Sequence, residues 1–167
     1  MTSIAIIGMP GVGKSTVGVL LAKKLALRFV DTDLIIQLQE RKTLQEIIDH
    51  SGYQALRQIE EQVILQESFS GAVIATGGSV VYSEKGMTKL KELGSVVYLS
   101  CNPAQLLQRI TNYSERGIAA HPEQGFADMF AERERLYKRY ANVVIETDTF
   151  TPARVVDEVV SWLTTLD

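Results

Sequence analysis

The feature that most constrains this chain is a glycine-rich segment followed at once by a lysine and a serine. Residues 8–15 read GMPGVGKS and satisfy the pattern G-x-x-x-x-G-K-[ST]. An apolar, β-branched run at 4–7 precedes the segment and a helical pattern follows it, so strand, loop and helix are predicted in register. Such a loop turns backbone N–H groups toward phosphate oxygens at a helix N-terminus. The segment therefore predicts a site for the phosphates of a nucleotide.

The same loop predicts which residues hold the nucleotide. Lys14 can reach the β- and γ-phosphate oxygens, and the Ser15 hydroxyl can ligate Mg²⁺. The predicted nucleotide contacts in the loop are Gly11, Val12, Gly13, Lys14, Ser15 and Thr16.

Strand-like and helix-like patterns alternate along the rest of the chain. Short apolar runs predict strands at 4–7, 29–30, 72–75, 96–99 and 143–145. Helical periodicity predicts helices at 14–27, 33–40, 44–68, 84–93, 103–111, 126–140 and 155–166. Strands that alternate with helices and lack an in/out pattern indicate a parallel sheet covered on both faces. Ligands of such sheets bind beyond the carboxyl ends of the strands.

Length, charge and cysteine content narrow the class of protein. A chain of 167 residues with 46% hydrophobic and 22% charged residues predicts one globular domain over 1–167. The net charge of −3 gives no general attraction to nucleic acid or anionic membranes, so neither partner is expected. One cysteine, Cys101, and a start without a basic n-region or a long apolar run predict a cytoplasmic protein.

Two carboxylates follow the predicted second strand. By strand alternation, Asp31 and Asp33 project in similar directions just beyond its end. One could help hold hydrated Mg²⁺ while the other accepts a proton from an acceptor hydroxyl. Either one could instead cap the following helix, which Asp does well. The strand at 72–75 is not followed by an Asp, which favours a functional use of this pair.

One arginine lies in the middle of an apolar helix face. On a helical wheel, Arg133 falls at the centre of a stripe formed by Phe126, Met129, Phe130, Leu136, Tyr137 and Tyr140. Arg135 falls on the opposite side of the same helix. A buried guanidinium needs an anion, and its fork suits a bidentate carboxylate or phosphate. Arg133 is therefore predicted to bind a ligand anion, although a structural carboxylate could also be its partner.

Residues 112–125 are the least regular part of the sequence and predict a mobile lid. Arg109 and Arg116 flank its start, where a closing loop could bring positive charge to a phosphoryl group, or where a loop arginine could simply be solvated. Arg57 could contact a ligand or form surface pairs with Glu60 or Glu61. Gly77 and Gly78 suit either close approach to a ligand or an ordinary turn.

These motifs, in this order, resemble the shikimate kinase family nearly from end to end. The resemblance implies a three-layer α/β/α fold with a five-stranded parallel sheet in the order 2-3-1-4-5 and a mobile lid. It also implies ATP as phosphoryl donor, Mg²⁺ as metal, shikimate as an acceptor converted to 3-phosphoshikimate, and a monomeric protein. The alternatives are a kinase of the same fold with another small hydroxy acid or sugar acid as acceptor, and a non-catalytic ATP-binding regulatory domain.

The resemblance also assigns roles to individual residues. It implies Lys14 and Arg116 on the phosphates, Ser15 and Asp31 at the metal, and Asp33 as the catalytic group on the acceptor hydroxyl. Implied contacts of the acceptor are Asp33, Arg57, Glu60, Gly77, Gly78 and Arg133, with Glu60 supporting Arg57. Arg109 and Pro152 are implied to contact ATP, Pro152 from the adenine loop.

Five positions depart from the family pattern. A third glycine is replaced by Ser79, the R-P-L lid signature reads Arg116-Gly117-Ile118, a common proline is replaced by Arg135, and a commonly acidic position is Tyr53. These changes lie around the predicted acceptor pocket and leave the phosphate loop and the acid pair intact. The acceptor is accordingly the part of the prediction that they affect.

Overall fold

A five-stranded parallel sheet forms the centre of the computed structural model, which describes residues 2–110 and 116–166. Its strands are β1 Ser3–Ile7, β2 Arg28–Asp31, β3 Ala72–Ala75, β4 Gly94–Ser100 and β5 Val143–Glu146. They pair in the order β2-β3-β1-β4-β5, which confirms the predicted sheet. Every residue of β1 and β3 is buried, as expected for central strands covered on both faces.

Helices cover both faces of this sheet. They are α1 Lys14–Leu25, α2 Thr32–Glu40, α3 Leu44–Ser51, α4 Tyr53–Gln66, α5 Glu84–Leu93, α6 Pro103–Arg109, α7 Phe126–Tyr140 and α8 Pro152–Leu163. Helix α1 packs against α8, and α4 packs against α5, and right-handed crossovers are expected to place these two pairs on opposite faces. A short 3₁₀ helix, Val80–Tyr82, follows β3 and contacts α7.

One helix prediction is wrong: residues 44–68 form two helices rather than one. The chain breaks at Gly52, whose φ of 84° lies in a region that favours glycine. The Gly52 N–H bonds to the Ile48 carbonyl and ends α3, and α4 begins at the next residue. Helical periodicity continues across the break, so the pattern alone did not reveal it.

The carboxyl ends of β1, β2 and β3 lie side by side in this order of strands. They deliver the phosphate loop, the Asp31–Asp33 pair and the Gly77-Gly78 turn to one edge of the sheet.

Helices long and apolar enough to cross a bilayer do not occur in the part of the chain that the structure describes.

Candidate active site

The phosphate loop joins β1 to α1 and surrounds the amine of Lys14. Gly11 and Gly13 have φ values of 84° and 104°, which the curled backbone requires and which L side chains rarely adopt. The Lys14 Nζ donates to the carbonyl oxygens of Gly8, at 2.8 Å, and Met9, at 2.9 Å. Burial lowers the pKa of Lys14 to about 8, and the nearby Asp33 charge opposes that shift. The amine is thus held at the loop, next to the positions that phosphates take in such loops.

A cavity of about 410 Å³ opens beside this loop. Most of the predicted site residues line it: Gly11, Gly13, Lys14, Ser15, Thr16, Asp33, Glu60, Gly77, Gly78, Arg116 and Arg133. The cavity therefore connects the phosphate loop with the buried arginine of α7.

Asp31 caps a helix and also contacts the start of the loop helix. Its Oδ1 accepts from the backbone N–H of Asp33 at 3.0 Å and caps α2, and its Oδ2 accepts from the Ser15 hydroxyl at 2.6 Å. Two oxygen groups, one from the loop helix and one from the strand end, therefore meet beside the phosphate loop. Asp33 itself points into the cavity, where burial and the Asp31 charge raise its pKa to about 6.

Glu60, from α4, also lines the cavity. Its side chain is buried, and its Oε2 accepts from the Ser79 hydroxyl at 2.5 Å. Burial raises the pKa of Glu60 to about 7, and the Ser79 hydrogen bond opposes that shift. A Cβ on Gly77 would lie 2.0 Å from Glu60 Oε1 and 3.0 Å from Asp33 Oδ1. Only a glycine leaves room for both carboxyl groups at this turn.

Arg133 is buried in the manner that the helical wheel predicts. The residue is 0% exposed on the inner face of α7, whereas Arg135 is exposed. The Nη2 of Arg133 donates to the Ala119 carbonyl at 2.8 Å. No carboxylate among residues 2–110 and 116–166 forms an ion pair with it, and its buried Nε has no hydrogen-bond partner within that same part of the chain. The structural carboxylate considered as an alternative is not found there.

Arg57 lies beside the cavity rather than in its lining. Its Nε and Nη2 donate to the Ala119 carbonyl at 3.1 and 2.9 Å, so Arg57 and Arg133 share one acceptor. The expected support by Glu60 is not seen, because Glu60 bonds to Ser79. The Arg57 guanidinium is instead stacked on the ring of Tyr82, 3.7 Å from its centre.

The described part of the predicted lid is 116–125, and its first residues, 116–119, line the cavity. Arg116 approaches the phosphate loop, with Nη1 3.6 Å from the position that a Cβ on Gly11 would take. The Gly117 N–H donates to the Gln45 side chain at 3.1 Å, which attaches this segment to α3. Residues 112–115 of the lid lie outside the described residues, and its mobility stays a prediction.

Two predicted ATP contacts lie outside the cavity lining. Arg109 ends α6 and Pro152 begins α8, and both are exposed. They follow β4 and β5, so they stand beyond the same edge of the sheet as the phosphate loop. Their roles toward ATP stay predictions.

Sequence reasoning missed two groups at the arginine pair: the Tyr82 ring and the Ala119 carbonyl. Tyr82 lies on the short 3₁₀ helix, outside any periodic pattern, and Ala119 contributes only backbone. Neither position carries a motif, so the sequence offered no signal for them.

Comparison with known proteins identifies relatives over almost the whole chain. A profile of the shikimate kinase family matches residues 10–164. The shikimate kinase of Sulfurihydrogenibium sp. is 34% identical over 165 residues, with 96% of this chain and 97% of the relative covered. The shikimate kinase of Pseudomonas fluorescens is 36% identical over 169 residues, with 99% and 98% covered.

Solved structures give the same result. The shikimate kinase of Acinetobacter baumannii, in complex with shikimate, superposes with a TM-score of 0.90 at 28% identity and covers 100% of this chain and 95% of its own. The enzyme from Aquifex aeolicus has a TM-score of 0.83 at 29% identity, with 98% and 96% covered.

Proposed function

Since the chain belongs to the shikimate kinase family of ATP-dependent kinases, we propose that it transfers the γ-phosphoryl group of ATP to shikimate and forms 3-phosphoshikimate. Shikimate carries a carboxylate and hydroxyl groups, and the cavity offers a partner for each. Arg133 and Asp33 both line it, and of the two Asp33 has the larger charge interaction with Lys14 of the phosphate loop.

The observation that carries this proposal is the state of Arg133. A guanidinium that cannot lose its proton is fully buried, faces the cavity, and has neither a described counter-ion nor a partner for Nε among the described residues. Burying an unpaired charge is costly, so the site is built for an anion supplied from outside. A carboxylate matches the planar fork of an arginine. Arg57 and Arg133 both donate to the Ala119 carbonyl, so their two guanidinium groups are close enough to donate to one substrate carboxylate.

The chemistry then follows from the residues around the cavity. Backbone N–H groups of the loop and the Lys14 amine bind the ATP phosphates and stabilise the charge that spreads over the transferred group. Asp33, with its carboxyl facing the cavity, orients the acceptor hydroxyl and accepts its proton. Arg116, beside Gly11, adds positive charge near the phosphates. Arg133 and Arg57 hold the acceptor by its carboxylate.

Ser15 and Asp31 are the residues that would hold Mg²⁺. Their hydroxyl and carboxylate oxygens meet at 2.6 Å beside the loop, and such hard oxygen donors suit this ion. Among the described residues, no three His, Cys, Asp or Glu side chains are grouped to hold a metal. Phosphate and water oxygens would therefore complete the coordination, as is usual for Mg²⁺. The bound ion would neutralise charge on the phosphates.

The remaining expectations form part of the same proposal. We place the protein in the cytoplasm as a monomer, with residues 1–167 acting as one domain and with no nucleic-acid or membrane partner. Tyr53, Ser79 and Gly117 depart from the family pattern near the acceptor side, and this supports a second candidate, a kinase for another small hydroxy acid.

An acceptor panel tests the proposal directly. ADP release, coupled to a spectrophotometric reaction, is measured with shikimate, quinate, gluconate and homoserine. We expect shikimate to give the highest kcat/KM, because its carboxylate can meet the arginine pair while a ring hydroxyl approaches Asp33. A higher kcat/KM with another acid would identify that acid as the acceptor and leave the assignment as a kinase unchanged. ATP binding without ADP release from any acceptor would favour the non-catalytic alternative.

The buried carboxyl groups predict an unusual pH dependence. A base must be ionised to act, and the pKa of Asp33 is about 6 rather than 3.8, so kcat/KM for the acceptor should fall about tenfold per pH unit below 6. Above about pH 8, loss of the Lys14 charge should lower kcat/KM for the acceptor again. The profile is measured in buffers of constant ionic strength. Glu60, with a pKa of about 7, could shape the same acid limb, so Glu60→Gln serves as the control and should leave a limb near 6. An acid limb near 4 would contradict the assignment of Asp33.

A further inference from the structure

Arg133, which lines the cavity, and Arg57, which lies beside it, contact the same aromatic ring. The guanidinium carbon of Arg57 lies 3.7 Å from the centre of the Tyr82 ring, and that of Arg133 lies 5.6 Å from it. Both distances are within the range in which a cation is attracted to a ring face. One neutral ring thus contacts two cations that come from different helices, α4 and α7.

The hydroxyl of Tyr82 forms a hydrogen bond that links the residue to α7. Tyr82 ends the 3₁₀ helix that follows the Gly77–Ser79 turn, and its hydroxyl donates to the carboxylate of Glu132 on α7. Burial and this hydrogen bond raise the pKa of Tyr82, so the phenol stays a neutral donor. Glu132 directly precedes Arg133, so the ring is attached to the helix whose arginine it contacts.

A neutral partner has a specific advantage at this place. A carboxylate paired with either arginine would neutralise it and compete with an incoming substrate anion. The face of a ring stabilises the cations without neutralising their charge. In agreement with this, neither arginine forms an ion pair with a carboxylate in the described ranges, 2–110 and 116–166.

We infer that Tyr82 is a positioning residue for the acceptor: its ring holds Arg57 and Arg133 together as a fork for the substrate carboxylate. The residue does not line the cavity and acts through the two arginines. This inference rests on the proposed function, in that the acceptor carries a carboxylate. Its effect belongs to binding of the acceptor and not to the chemistry at the phosphates.

The test separates the ring from its hydroxyl. Tyr82→Leu removes the ring, and we expect it to raise KM for shikimate roughly 5- to 30-fold, the range of a partly desolvated cation–ring contact, with kcat and KM for ATP within about twofold of wild type. Tyr82→Phe keeps the ring and should stay within about threefold of wild type in every constant. The methyl ester of shikimate lacks the carboxylate charge, so its KM should respond little to Tyr82→Leu.

A matched control is available at the end of α7, the helix that carries Arg133. The Tyr140 ring also lies near two cations, 5.5 Å from Arg139 and 5.9 Å from Lys91, but outside the cavity. Tyr140→Leu should leave KM for shikimate unchanged. The inference is overturned if Tyr82→Leu leaves KM for shikimate unchanged, or if it lowers kcat and ATP affinity in parallel. It is also overturned if Tyr82→Leu affects the acid and the ester equally, or if Tyr82→Phe behaves like Tyr82→Leu. If the wild-type protein does not phosphorylate shikimate at all, the proposed function fails instead, and that outcome is seen before any variant is made.

Discussion

Replacing Lys14 with alanine is expected to lower phosphoryl transfer at least ~100-fold while the protein stays folded. The amine is held inside the phosphate loop by the Gly8 and Met9 carbonyls. From there it can stabilise the negative charge that develops on the transferred phosphoryl group. A single preorganised contact of this kind is worth about 3 kcal/mol in the transition state. Removing this contact should therefore reduce kcat at least ~100-fold in the coupled assay.

Lys23 provides the control for this substitution. It belongs to the same helix, α1, but is exposed at its last turn, so Lys23→Ala should leave kcat unchanged. The melting temperature of Lys14→Ala should be close to that of wild type, because the substitution removes a buried charge rather than a packed apolar group. Near-normal turnover by a folded Lys14→Ala protein would remove the basis for assigning the loop a catalytic role.

Replacing Arg133 is expected to cost about 2–4 kcal/mol in kcat/KM for the acceptor, or roughly 30- to 1000-fold. The side chain is fully buried at the cavity and offers a charged fork that alanine cannot replace. Arg133→Lys keeps a charge but loses the bidentate geometry, so it should also be impaired. The melting temperature of each Arg133 variant shows whether the loss of activity comes from the missing fork or from unfolding.

The neighbouring arginine makes the comparison decisive. Arg135 is exposed on the opposite face of α7, and Arg135→Ala should cost almost nothing. Were Arg133 mainly structural, its replacement would lower the melting temperature severely and weaken ATP and acceptor binding alike. A stable Arg133→Ala protein with normal kinetics would return the search for the carboxylate anchor to Arg57.

The sequence by itself determined the order of elements and the chemistry at the ends of the strands. Alternating apolar runs and helical periods are local properties, and they predicted five parallel strands in their observed places. The phosphate loop and the inward face of Arg133 were also readable, because a motif and a helical wheel depend only on neighbours along the chain.

The tertiary structure alone decided how these pieces meet. The break at Gly52 depends on one residue with positive φ inside a continuous helical pattern. The partners of Arg57 are 62 residues away at Ala119 and 25 residues away at Tyr82, and Glu60 bonds to Ser79 instead. Such pairings arise from packing between segments far apart in sequence, where burial and hydrogen-bond satisfaction select one partner among several. Periodicity and motifs carry no information about that selection.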